Sequence, residues 1–174
     1  KYTEQHLNEW LKKDKVGRSA TAEEITNSRT SDIRGPVTLH GGTLRIEDKA
    51  VLKSRGIDVH PGATVSLKDA VLSHAGYALT MSNASTLRWQ GANTISANIM
   101  LSEGSRLDCV LSSTNKTQPL ASLISSSFNM IGAITINITA AEKLTDGTWY
   151  KLMSGISKPI IWNDSAITLI LPGG

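Results

Sequence analysis

A phrase of about twenty residues returns four times through the middle of this chain, and no other feature constrains its fold as strongly. Gly42-Thr43-Leu44, Ala63-Thr64-Val65, Ser85-Thr86-Leu87 and Ser105-Arg106-Leu107 end at positions 44, 65, 87 and 107, in steps of 21, 22 and 20. A second phrase, Ala50-Val51-Leu52, Ala70-Val71-Leu72 and Ala92-Asn93-Thr94-Ile95, begins at 50, 70 and 92. A third, Val37-Thr38-Leu39, Ile57-Asp58-Val59, Tyr77-Ala78-Leu79 and Ile99-Met100-Leu101, falls at 37, 57, 77 and 99. Three separate phrases on one period predict a solenoid of stacked coils. A single coil cannot bury its apolar face, so its neighbours must do so.

Within each coil, short runs alternate apolar and polar residues, the signature of strands with one row of side chains inward and one outward. The expected inward residues are Val37 and Leu39, Leu44 and Ile46, Val51, Ile57 and Val59, then Val65 and Leu67. They continue through Val71, Leu79 and Met81, Leu87 and Trp89, Ile95, Met100 or Leu101, and Leu107 and Cys109. Turn residues punctuate the runs at Gly41-Gly42, Gly56, Pro61-Gly62, Gly76, Gly91 and Gly104. Three short strands per coil with glycine at the bends is the pattern of a parallel β-helix. Each coil adds about 4.8 Å, so four coils span roughly 20 Å. Glu47-Asp48-Lys49 and Lys68-Asp69 lie one period apart, which places opposite charges over one another on adjacent coils if the register slips by one residue.

The flanks differ from this middle. Leu7, Trp10 and Leu11 share a face of a short amphipathic helix, and Thr21-Ala22-Glu23-Glu24 has capping-box spacing. Residues 1–30 are read as a helical cap over the open end of the solenoid, or as a linker. Residues 31–112 form the β-helix coils. In 113–174 the rhythm breaks: a polar loop at 112–119 precedes β-rich segments, read as irregular further coils or a small sandwich-like cap. Ile134 to Ile138, Ile160 to Trp162 and Ile167 to Leu171 read as strands. Asp146-Gly147, between Leu144 and Trp149 to Leu152, reads as a hairpin turn.

Composition narrows the class. The 174 residues carry a net charge of +3, with no basic stripe interleaved with aromatics, so a nucleic-acid partner is not expected. No run of eighteen apolar residues occurs, so no helix for direct membrane insertion is expected. A single cysteine excludes an internal disulfide, and Cys109 between Leu107 and Leu111 reads as a buried thiol. The opening at Lys1 and the closing Leu171-Pro172-Gly173-Gly174 read as the ends of a piece of a longer chain.

Gly62-Ala63-Thr64-Val65-Ser66-Leu67 and the stretch from Ala84 through Leu87, Trp89, Gly91 and Ile95 to Ser96 resemble the strand repeats of bacterial autotransporter passenger domains. Leu144-Thr145-Asp146-Gly147-Thr148-Trp149-Tyr150-Lys151-Leu152-Met153-Ser154-Gly155 is similar to the Asp-Gly-Thr-Tyr-x-Leu-x-x-Gly phrase of the same repeats. The resemblance covers roughly 36–155 and implies a right-handed β-helix, secreted or displayed on the bacterial cell surface as adhesin or stalk. It transfers no catalytic residues, and the N-terminal helical segment departs from it.

Little in the chain reads as chemistry. His40 and His60 would stack about one coil apart, but Ser82 and Ser102 occupy the equivalent positions on later coils, too few donors for zinc. Asp48, Asp58 and Asp69 read as isolated from one another, without the two facing carboxyls of glycoside hydrolysis. Nucleophile, phosphate-loop and dinucleotide motifs do not occur. The expectation is an all-β right-handed parallel β-helix without enzymatic activity, cofactor or metal. Its partner would be a host or environmental surface glycan or protein, with Asn115, Lys116, Thr117 and Gln118 as the candidate contact loop. The alternatives are a polysaccharide-acting enzyme on the same fold and a phage or toxin fibre segment.

Overall fold

The structure, a computed structural model, describes residues 30–155, 161–163 and 167–172. The helical cap expected around Leu7, Trp10 and Leu11 lies outside the described residues. From Thr30 onward the regular structure of the described chain is strand apart from one 3-10 turn at Ser113–Lys116, and every strand pair among the described residues is parallel.

The strands fall into three faces. Face one holds β1 (Thr30–Asp32), β4 (Val51–Lys53), the first half of β7 (Val71–Met81), the first half of β9 (Asn93–Leu101), β11 (Ala121–Leu123) and β14 (Met153–Ser154). Face two holds β2 (Val37–Leu39), β5 (Ile57–Val59), the second halves of β7 and β9, β12 (Phe128–Ile131) and β15 (Ile161–Asn163). Face three holds β3 (Thr43–Glu47), β6 (Thr64–Lys68), β8 (Thr86–Gln90), β10 (Arg106–Leu111), β13 (Ile134–Ala140) and β16 (Ile167–Ile170). The chain visits the faces in the same order six times, the curled parallel arrangement of a β-solenoid.

Stacking turns the repeated phrases into columns of like side chains. On face three Leu44, Val65, Leu87, Leu107, Ile136 and Leu169 are successive partners, as are Ile46, Leu67, Trp89, Cys109 and Ile138. Face two stacks Val37, Ile57, Leu79, Ile99 and Phe128. The central members of each column are excluded from water, and each such side chain contributes about 1.5–3 kcal/mol by leaving it. Trp89 and Phe128 meet across the core with ring centroids 6.1 Å apart.

Three expectations shift. Tyr77, placed in the third phrase, is 47% exposed, and Leu79 takes its column position. Between Ser73 and Ala78, β7 carries more residues than its partner β9, and this irregularity lifts Tyr77 out of the column. On face one Leu52 and Leu72 point inward while Val51 and Val71 are only half-buried. A Val-Leu pair is apolar on both sides of the strand, so alternation alone could not choose between them. On face three Glu47 pairs directly with Lys68, with no slip.

The solenoid continues beyond Leu111, but its steps lengthen to 29 and 33 residues, from Leu107 to Ile136 and on to Leu169. The added residues lie at one corner, between faces three and one, where β10 leads to β11 and β13 to β14. The two enlarged corners bond to each other. Lys151 N donates to Asn115 O, Lys116 Nζ to Thr145 Oγ1, and Lys151 Nζ to the Thr117 carbonyl. Asp146-Gly147 makes a turn but no hairpin, since neither Leu144 nor Tyr150 to Leu152 is in a strand. The carbonyls of Lys151 and Leu152 instead accept Leu120 N and Ala121 N from the turn before, which commits this segment to parallel stacking.

Candidate functional site

The outward rows of face three form a shallow trough of about 460 Å³. Strand alternation puts Leu44, Val65 and Leu87 inside, so Arg45, Ser66 and Arg88 face solvent as one row. Thr43, Thr64 and Thr86 make the parallel row beside it, and Arg106 extends that row by one strand. Half-buried hydroxyls of Thr64, Ser66 and Thr86 line the floor, and the exposed side chains of Arg45, Arg88 and Arg106 rise around it.

The charges are unevenly committed. Arg106 Nε donates to Asp108 Oδ1, and that oxygen also accepts Asn137 Nδ2 at 3.1 Å. Arg45 and Arg88 make no ion pair among the described residues. The two carboxylates of the trough, Glu47 and Asp108, lie three strands and two residues apart in register, roughly 16 Å.

The loop expected to make contacts is built around a structural residue. Asn115 is excluded from water. Its Oδ1 accepts Ser112 N at 2.9 Å, and its Nδ2 donates to the carbonyls of Gly91 and Gln118, both at 3.2 Å. Asn93 works in the same way one turn earlier: Oδ1 accepts Ala70 N and Nδ2 reaches Gln90 O and Leu120 O. Each asparagine ties neighbouring turns at the same corner. Lys116 and Thr117 are held by the second enlarged corner, and Gln118 is exposed. Glu142 closes this contact, because the Ser113 hydroxyl and backbone N–H hold its carboxyl below the usual carboxylate range. Trp149, 92% exposed, stands out from the second enlarged corner.

Three other readings can be placed. His40 and His60 do stack, with ring centroids 4.4 Å apart, and Ser82 and Ser102 continue their position on the next turns. Among the described residues no group of three or more His, Cys, Asp or Glu comes together as a metal site. Asp58 is solitary on face two, but Asp48 and Asp69 are not isolated. The Glu47–Lys68 register carries on to them, so they share a corner on adjacent turns, beside Lys49 and Gln118. Asp69 is structural: its Oδ1 accepts Ala92 N at 2.8 Å. The one-period spacing that stacks Glu47 on Lys68 carries on to this pair.

His74 carried no signal in the sequence. It is buried at the irregular part of β7, where Nδ1 lies 2.9 Å from Ser54 Oγ, and Nε2 has no hydrogen-bond partner among the described residues. Burial pushes its pKa below that of a free histidine, partly opposed by hydrogen bonds that the ring donates to the backbone of Ser54 and Ser73.

No protein-family model, curated protein or solved structure matches this chain.

Proposed function

We propose that the chain is a non-catalytic binding segment of an exported bacterial surface protein of the autotransporter-passenger kind. It is a right-handed β-helix, closed at its first turn by the helical segment 1–30, and works as an adhesin or stalk. The handedness is drawn from the general preference of same-sheet parallel connections. Surface display and a glycan or protein partner are drawn from the resemblance of the repeat phrases.

The observation that carries the binding role is the ordered outer surface of face three. Parallel register aligns Thr43, Thr64 and Thr86, and beside them Arg45, Ser66 and Arg88, at fixed spacing on a rigid support. A rod of this kind binds by geometry: its polar groups are already held apart by the strand spacing, so little ordering entropy is lost on contact. Glycoside hydrolysis in the trough would need two carboxyls about 5–10 Å apart, nearer than the register places Glu47 and Asp108.

The test is an array of surface glycans and extracellular-matrix proteins, read beside a turnover assay on the same polysaccharides. Saturable binding without product is expected. Product release overturns the non-catalytic reading, and failure to bind any glycan or protein overturns the adhesin role and leaves a stalk.

A further inference from the structure

The trough on face three has a chemistry of its own. Arg45 and Arg88 stand in one row, separated by Ser66, and so lie two strand spacings apart, about 10 Å along the solenoid axis. A planar guanidinium receives sulfate or carboxylate through two parallel N–H donors. Two such forks without an ion-pair partner among the described residues, on a floor of Thr64, Ser66 and Thr86 hydroxyls, fit a ligand that alternates anionic and hydroxyl groups. An extended polysaccharide with one acidic group per disaccharide has that pattern, and its sugar hydroxyls would meet the threonine and serine side chains.

We propose that this trough binds an acidic polysaccharide, sulfated or uronate-bearing, laid along the solenoid axis across β3, β6 and β8. Arg45 and Arg88 take successive anionic groups. Arg106, already committed to Asp108, marks the end of the track. The proposal rests on the binding role above and names its ligand class. Among the described residues no aromatic side chain lines the trough, so the bases of a single-stranded nucleic acid would find no stacking platform there. Nor does it offer the apolar pockets that anchor an acidic peptide.

The whole chain would be titrated calorimetrically with a κ-carrageenan hexasaccharide, a hyaluronan hexasaccharide, a neutral cello-oligosaccharide, poly-glutamate and oligo-dT. Saturable, salt-sensitive binding to the sulfated or the uronate oligomer is expected, and which of the two binds identifies the acidic group. The Arg45→Gln/Arg88→Gln pair should weaken it by roughly a hundredfold, about tenfold per charged contact. Arg55→Gln/Lys143→Gln, which removes equal charge from exposed positions elsewhere, should change it by less than about threefold. Equal loss in both double variants would mean attraction to net charge alone and would overturn the site. Preference for the neutral oligomer, poly-glutamate or oligo-dT would overturn the acidic-glycan assignment. If the array above still shows a glycan or protein ligand in such a case, the binding role stands without it. Silence there as well removes both.

Discussion

His74 is a buried ionisable side chain whose charge the interior resists, with one ring nitrogen on Ser54 and the other unpartnered among the described residues. Its folded-state pKa lies below the free value of 6.5. Below that pH the unfolded chain takes up a proton that the folded chain resists, so stability is full above it and declines as pH falls through it. Urea unfolding at about pH 7.5 and pH 5 should show this decline, and His74→Gln should reduce it. An unchanged decline would move its origin elsewhere. Cys109 illustrates the same desolvation on a thiol: burial, with a lesser contribution from Asp108, pushes its pKa up to about 12. A thiol reagent at neutral pH should leave the native protein unlabelled and react only after denaturant is added. Rapid native labelling would contradict its place between Trp89 and Ile138 in the core column.

At the scale of elements, the corners decide where one strand ends and the next begins. Gly91 has φ 71°, and a Cβ there would lie 2.1 Å from Asp69 Oδ1. That carboxylate caps Ala92 N, so it cannot move aside without leaving the donor unpaired. Gly91→Ala should therefore lower stability by about 1–3 kcal/mol, whereas Gly41→Ala should change it by less than about 0.5 kcal/mol. At Gly41 φ is not positive and a Cβ meets nothing within 4 Å. Paired thermal melts of the two variants check this, and equal shifts would refute it. The enlarged corners obey the same logic in reverse. Insertions at one corner of successive turns leave all three faces in register because each enlarged corner is held by the other, through Lys151 N to the Asn115 carbonyl and Lys116 Nζ to Thr145 Oγ1.

For the whole molecule, each turn relies on its neighbours, and the last described turn has fewer. Leu169 continues the column of Leu87 and Leu107, yet it is 53% exposed while they are buried. In a quasi-one-dimensional stack, opening should begin at such a turn. Native-state hydrogen exchange should find β6, β8 and β10 the slowest and β16 much faster. Uniform protection would show that the turns open only together.

The fold class was legible in the chain itself, because a twenty-residue period of alternating strands has few ways to bury itself. Leu44, Val65, Leu87 and Leu107 could be aligned from spacing alone, since each turn between them has nearly the same length. Spacing failed where turn length varied locally. The irregularity in β7 exchanged Tyr77 for Leu79. The trough was hidden for a related reason. Arg45, Ser66, Arg88 and Arg106 are up to sixty-one residues apart along the chain, and each alone looks like an ordinary exposed polar residue. The sequence determined that the chain must coil and which hydrophobic phrases stack, because period and alternation are local properties. Only the tertiary structure decided which outward groups share a surface and which polar groups lose water, because parallel register sums every insertion and bulge between distant strands.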